Sequence, residues 1–174
     1  MILIGLGSNL ATPAGPPRDT VLAAVDTLRA DGLGVTALSA LYASAPVGPA
    51  DQPWFVNAVA ALDCNLAPEA LIDRLQEVER AFGWRRERRW HARGLDLDLL
   101  DWHGQVRPDP ASWTAFIDDT APPQQLVLPH PRLHLRRFVL RPLLDIAPAW
   151  RHPVWRRPAS QLLAQIEGQP VERL

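Results

Sequence analysis

Lysine is absent from this 174-residue chain, so all 18 basic side chains are arginines. Lysine Schiff-base chemistry is thereby excluded, and the fixed positive charge is planar guanidinium, which grips phosphate bidentately. Cysteine is almost absent too. A lone Cys64 allows neither an internal disulfide nor a cysteine metal site; this suits a reducing, cytoplasmic setting, and Cys64 is expected as a packed strand residue. No stretch approaches the roughly 20 consecutive apolar residues of a membrane span. Residues 1–7 are apolar but short and carry no basic leader or cleavage site, so they read as a core strand and not a signal. Excess charge is missing as well: a net value of −1 removes any general affinity for polyanions. Neither a membrane nor a nucleic acid is an expected partner, and with no clear apolar association stripe a monomer is expected.

What is present is a 47% hydrophobic composition in a length that suits one domain over residues 1–174, together with a very uneven charge. Five of the 18 arginines fall between Arg85 and Arg93, directly before Leu95-Asp96-Leu97-Asp98-Leu99. That run has period two. As a strand it packs its leucines on one face and presents Asp96 and Asp98 together on the other. Adjacent carboxylates repel, and such a pair persists where a hard cation lies between them; Mg²⁺ carrying substrate phosphates fits oxygen-only ligands at close range. The arginines would hold the phosphate oxygens that the metal leaves uncovered.

The remaining elements follow from periodicity and punctuation. Residues 2–6 form a first strand ending in Gly7-Ser8-Asn9, and Val21, Leu22, Val25 and Leu28 recur at helical spacing before Gly32. Residues 35–44 read as one strand, followed by a stiff proline-rich loop. A strand over 54–62 places Phe55 and Asn57 on one face. Pro68, Glu69, Leu71, Leu75, Val78 and Phe82 define a second helix stopped by Gly83, with Gln76 and Glu79 on its more polar sides. After the Asp96/Asp98 strand, His103-Gly104 reads as a hairpin turn into a short strand near Val106, and residues 108–124 as a long surface loop. A short strand at 126–128, an irregular basic turn at 132–137, a short helix at 138–146 whole or broken at Pro142, and covering fragments at the C-terminal end complete the chain. The order β-α-β-β-α-β predicts an α+β fold, a ferredoxin-like βαββαβ core with extra C-terminal strand and helix elements. In it the Asp96/Asp98 strand is expected toward the interior of the sheet.

Four segments in this order resemble one family: Gly7-Ser8-Asn9; Pro46-Val47-Gly48-Pro49-Ala50-Asp51-Gln52-Pro53 with Phe55 and Asn57; Leu95 to Leu99; and Pro129-His130-Pro131-Arg132-Leu133 followed by Arg136, Arg137 and Phe138. The chain is similar in them to the 6-hydroxymethyl-7,8-dihydropterin pyrophosphokinases of folate biosynthesis. The resemblance implies transfer of diphosphate from ATP to the pterin hydroxymethyl group, giving AMP and the pterin diphosphate. It implies two Mg²⁺ ions on Asp96 and Asp98, and catalytic roles for Arg86, Arg93 and Asp98. ATP would be bound by Gln76, Glu79, Arg86, Arg93, Leu99, His130 and Arg136. The pterin would be bound by Ser44, Val47, Phe55, Asn57, Trp90, Asp96 and Phe138, with Phe55 and Phe138 stacking on the ring and Trp90 closing over it.

Three features depart from the family pattern: Trp84 where an arginine is common after Gly83, His91-Ala92 where Gly-Pro is common, and the length of residues 108–124. Trp84 and His91-Ala92 motivate a second reading, a nucleotide or pterin sensor that has kept the pocket and lost turnover. A third reading is a ferredoxin-like nucleic-acid-binding domain, against which stand the two aspartates on its sheet face and the overall charge.

Overall fold

The strand on which the sheet is assembled is β1 (Ile2–Ser8), buried along almost its whole length. The computed structural model describes residues 1–47, 51–83, 93–117 and 125–174. After β1 the chain enters α1 (Pro17–Ala30), where a proline opens the helix at a position whose N–H would be unpaired anyway. Val21, Ala24, Val25 and Leu28 share the face of α1 that is buried. Next come β2 (Gly34–Leu38), β3 (Tyr42–Ser44) and β4 (Phe55–Asp63). Helix α2 (Pro68–Ala81) repeats the pattern of α1, with Pro68 at its start and Leu71, Leu75 and Val78 inward. It stops at Gly83, whose φ of +83° favours glycine. The chain finishes with β5 (Asp96–Trp102), α3 (Pro110–Trp113), a 3₁₀ turn at Thr114–Phe116, α4 (Arg137–Ile146), α5 (Ala159–Ala164) and β6 (Val171–Arg173).

These elements make a mixed helix-and-strand fold around one antiparallel sheet in the order β5-β1-β4-β3-β6, with β2 also pairing β4. One sheet face is covered by α1 and α2: Ile2, Ile4 and Leu6 of β1 join Val25, Leu28, Leu71, Leu75, Leu97 and Leu99 in the larger core cluster. On the other face Leu3, Val59, Ala61 and Leu100 pack under α4 and α5. That second cover stops short. Period two carries the same face onward through Gly5, Gly7, Asn57, Asp96 and Asp98, which instead line a cavity.

Several expectations are corrected. The Asp96/Asp98 strand β5 is an edge strand and not an interior one. Its neighbour β1 already has β4 on one side, and β4 is flanked in turn by β2 and β3, so β5 takes the remaining edge of β1. Its outer edge is met by side chain and loop: Glu79 Oε1 accepts Leu97 N–H at 2.7 Å, and Leu100 C=O accepts His130 N–H at 2.8 Å. Residues 35–44 are two strands, because the Ser39 hydroxyl accepts Val59 N–H at 3.0 Å and donates to Ala40 C=O at 2.7 Å, interrupting the ladder. The strands expected near Val106 and at 126–128 reduce to a single bridge, Arg107 with Leu128. Helix α4 runs unbroken through Pro142. Cys64 lies just beyond β4 and packs half-buried against the larger core. The stretch 108–124 is not all surface loop, since it contains α3 and the 3₁₀ turn, and Trp113 is fully buried.

Candidate active site

Asp96 and Asp98 project from one face of β5 opposite Gly7 and Gly5 of β1, so no neighbouring side chain on that strand fills the space beside them. Each is answered by its own arginine. Arg93 ion-pairs with Asp96, and Arg136 Nη1 donates to Asp98 Oδ2 at 2.7 Å. The pairs are accessible: the two carboxylate side chains are 31% and 34% exposed. Burial of the carboxyl and the neighbouring Asp98 push the Asp96 pKa upward, against Arg93 and Arg136. Burial pushes Asp98 the same way, but His130, Arg136 and Arg93 outweigh it and hold Asp98 below the usual carboxylate range. One strand thus carries two adjacent acids with different proton affinities.

The surrounding side chains are fixed by contacts from distant parts of the chain. Asn9 is the hub. Its side chain accepts Arg93 N–H at 2.7 Å and donates to Pro53 C=O at 3.1 Å, while its own N–H donates to Arg93 C=O at 3.0 Å. The glycine beside Arg93 suits a tight space, because a Cβ on Gly94 would lie 2.9 Å from Thr12 Cγ2 and 3.2 Å from Phe82 C=O, and Thr12 would have to shift. His130 Nδ1 accepts Arg132 N–H at 3.1 Å, which leaves the proton on Nε2, 3.9 Å from Asp98 Oδ2. Burial and then Arg136 lower the His130 pKa to about 4, so it is a neutral donor at physiological pH. Glu79 is buried, contrary to its expected place on a polar side of α2. Burial raises its pKa to about 7 although Leu97 N–H opposes the shift, with Asp96 and Asp98 adding to the rise.

Asp96, Asp98, Arg93, Arg136, His130 and Glu79 all line one cavity of about 720 Å³. Its walls on the α4 side include Ser44, Val47, Phe55, Asn57 and Phe138. Asn57 is buried and donates to Ser44 Oγ at 2.9 Å and to Tyr42 C=O at 3.3 Å. Arg136 stacks over Phe138, 5.7 Å from guanidinium to ring centroid, and so joins this end to Asp98. Around the edge of β5 the cavity continues to Leu99, Gln76 and Glu79. Of the expected site residues, Ser44, Val47, Phe55, Asn57, Gln76, Glu79, Arg93, Asp96, Asp98, Leu99, His130, Arg136 and Phe138 all line it. Arg86 and Trp90 lie outside the described residues. Phe116, Ile72, Leu126 and Val127, none of them among the expected site residues, also line the cavity, and Asn9 holds Arg93 from outside its lining. For Asn9 the Gly7-Ser8-Asn9 motif was a signal; for Phe116 there was none.

The donor set facing the cavity at β5 is carboxylate oxygen, and two carboxylates match the way Mg²⁺ is held when substrate phosphates complete its octahedron. Among the described residues no group of three or more His, Cys, Asp or Glu could hold a metal alone.

Fold and cavity together define an α+β small-molecule-binding domain with an acidic, arginine-flanked centre between an aromatic-amide pocket and a second recess. The chain belongs to the 7,8-dihydro-6-hydroxymethylpterin-pyrophosphokinase (HPPK) family, whose model matches residues 3–148. It is 42% identical over 174 residues to the 2-amino-4-hydroxy-6-hydroxymethyldihydropteridine pyrophosphokinase of Pseudomonas aeruginosa, covering 99% of this chain and 96% of that one. To the protein of the same description in Methylorubrum extorquens it is 36% identical over 172 residues, covering 98% and 96%. A crystal structure of an HPPK-DHPS in complex with substrates shares its fold with a TM-score of 0.66 at 13% identity. That likeness covers 94% of this chain, which spans 44% of the longer solved one.

Proposed function

We propose that this protein transfers diphosphate from ATP to 6-hydroxymethyl-7,8-dihydropterin, giving AMP and the pterin diphosphate, in cytoplasmic folate biosynthesis. The observation that carries this is the single cavity that joins Phe55, Asn57 and Phe138 to the Asp96/Asp98 pair with Arg93, Arg136 and His130 around it. The sheet order β5-β1-β4 with β2 and β3 beyond supports a ferredoxin-like core, to which α4, α5 and β6 are additions.

In this reading Phe55 and Phe138 sandwich the flat pterin, and Asn57, Ser44 and the backbone near Val47 read its polar edge. Trp90 belongs with them as a closing residue. ATP lies across β5, its base toward Gln76 and Leu99 and its phosphates toward Arg93, Arg136 and the Nε2–H of His130. Glu79 belongs to this end with one oxygen committed to Leu97. Asp96 and Asp98 would hold Mg²⁺, two ions by family likeness, which would neutralise phosphate charge and lower the barrier to attack. Asp98, kept ionised by Arg136, accepts the proton of the pterin hydroxyl as that oxygen bonds to the β-phosphorus. The bond from the β-phosphorus to the oxygen bridging it to the α-phosphate breaks, and AMP leaves. Arg93 and Arg86 stabilise the charge that moves onto phosphate oxygens, a task of positioning and electrostatics with no protein nucleophile.

The test mixes purified protein with Mg·ATP and 6-hydroxymethyl-7,8-dihydropterin and follows the adenine nucleotide. AMP with stoichiometric pterin diphosphate is expected; ADP, or no product, overturns the reading.

A further inference from the structure

The stretch after β5 has no part in the function as derived so far, yet it is held in place at three points. Arg107 Nη1 pairs with Glu69 Oε1 of α2 at 2.6 Å, tying its beginning to the first turn of that helix. The backbones of Arg107 and Leu128 exchange hydrogen bonds of 2.8 and 3.2 Å. Asp109 caps α3 through Ala111 and Ser112 N–H, both at 3.0 Å, and Trp113 is driven fully inward, its Nε1 donating to Pro129 C=O at 2.8 Å beside His130. Phe116 follows as the last residue of the 3₁₀ turn Thr114–Phe116, which continues directly from α3. It lines the same cavity as Ile72, Gln76, Leu99 and Leu126. Three aliphatic walls, one aromatic ring and one side-chain amide make a slot for a flat heterocycle with a hydrogen-bonding edge.

Resting on the function proposed above, we infer that Phe116 forms one wall of the slot for the adenine base of ATP and so contributes to nucleotide affinity. The pterin end has its own two aromatic rings and its own amide, so the second recess, beyond the edge of β5, is left for the base. Gln76 offers both donor and acceptor to that base, and Phe116 supplies apolar contact with its face or rim.

The test is calorimetric titration of the full chain with the Mg²⁺ complex of α,β-methylene-ATP, whose corresponding bond cannot be cleaved, with inorganic tripolyphosphate, and with the pterin. Phe116→Ala should weaken the ATP analogue about tenfold, in keeping with base–aromatic stacking, and leave tripolyphosphate and pterin within twofold of wild type. Phe116→Tyr should restore the analogue's affinity. Analogue binding unchanged in Phe116→Ala overturns the inference while leaving the proposed function standing. A parallel loss of all three ligands overturns it too, by showing a general packing role. If wild-type protein does not bind the analogue at all, both this inference and the proposed function fail.

Discussion

Two carboxylates on one strand face repel each other, and here an arginine from each side absorbs that repulsion: Arg93 on Asp96 and Arg136 on Asp98. Because each carboxylate is about a third exposed, its loss should affect chemistry more than folding. Asp96→Ala and Asp98→Ala are each expected to lower the rate of AMP formation at least about 100-fold, the scale of losing one preorganised electrostatic group, with an unchanged far-ultraviolet circular dichroism spectrum. Full activity in either variant would remove the metal assignment. Arg93 differs from these acids in acting on charge that grows during the reaction. Arg93→Ala should therefore reduce kcat by about 100-fold while shifting the KM for pterin less than about threefold. Arg93→Lys should recover only part of the loss, because an ammonium cannot reproduce the planar fork. An unchanged kcat in Arg93→Ala would count against its role.

At the scale of elements, the cavity exists because α4 covers only part of its sheet face, and the position of α4 is pinned by Tyr42. The Tyr42 hydroxyl, on β3, donates to both carboxylate oxygens of Asp145 at 2.9 and 3.0 Å, and Ala40 N–H donates to the same group at 3.3 Å. Tyr42→Phe removes the bond to a charged acceptor and should cost about 2 kcal/mol in urea unfolding. Since Asn57 uses the backbone carbonyl of residue 42 and not its hydroxyl, kcat should stay within twofold of wild type; an unchanged urea midpoint would show that Asp145 is satisfied without Tyr42. Elements of this kind were legible wherever a period was sustained. Val21 to Leu28 and Leu71 to Val78 mark α1 and α2, and the alternation around Asp96 and Asp98 fixes which way those side chains point. The break at Ser39 was not legible, since it depends on a hydroxyl meeting β4 across 20 residues. Nor was α3, whose four residues are too few to show a helical period. The edge position of β5 follows from competition for partners on β1, a property of the assembled sheet that no local pattern carries. The site was more legible than the fold around it, because Phe55, Asn57, Asp96 and Asp98 sit in regular strands, whereas the clamp of Asn9 on Arg93 joins residues 84 apart.

At the scale of the whole molecule, three neutral histidines and one acid among the described residues link folding to pH. Behind α3, His152 is fully buried and stacked on Trp155 with ring centroids 4.4 Å apart, and His134 and Trp113 meet it edge-on. Burial lowers the His134 pKa to about 4, and burial together with His134 lowers that of His152 to about 3; His130 lies at about 4. Each of these depressed histidines is neutral in both folded and unfolded chains above pH 6.5. Below that, the unfolded chain takes up the proton first, so stability is lost as pH falls from 6.5 toward 4, at about 2 kcal/mol per histidine by pH 5. Glu79 opposes this. With its folded pKa raised to about 7, it holds a proton that the unfolded chain releases, and it favours the folded state by about 3 kcal/mol at pH 5. Among these four groups the three histidines outweigh the glutamate, and the raised Asp96 and lowered Asp98 act in opposite senses, so the ligand-free protein should lose thermal stability between pH 6.5 and 4.5. His152→Phe keeps a ring beside Trp155 and removes one titration, at the cost of the acceptor that Nδ1 offers to Val154 N–H at 3.3 Å. Its Tm should therefore start lower at pH 8 and fall less steeply than that of the wild type. Parallel Tm curves for the two proteins from pH 8 to 4.5 would show that His152 is not the group whose protonation drives acid unfolding.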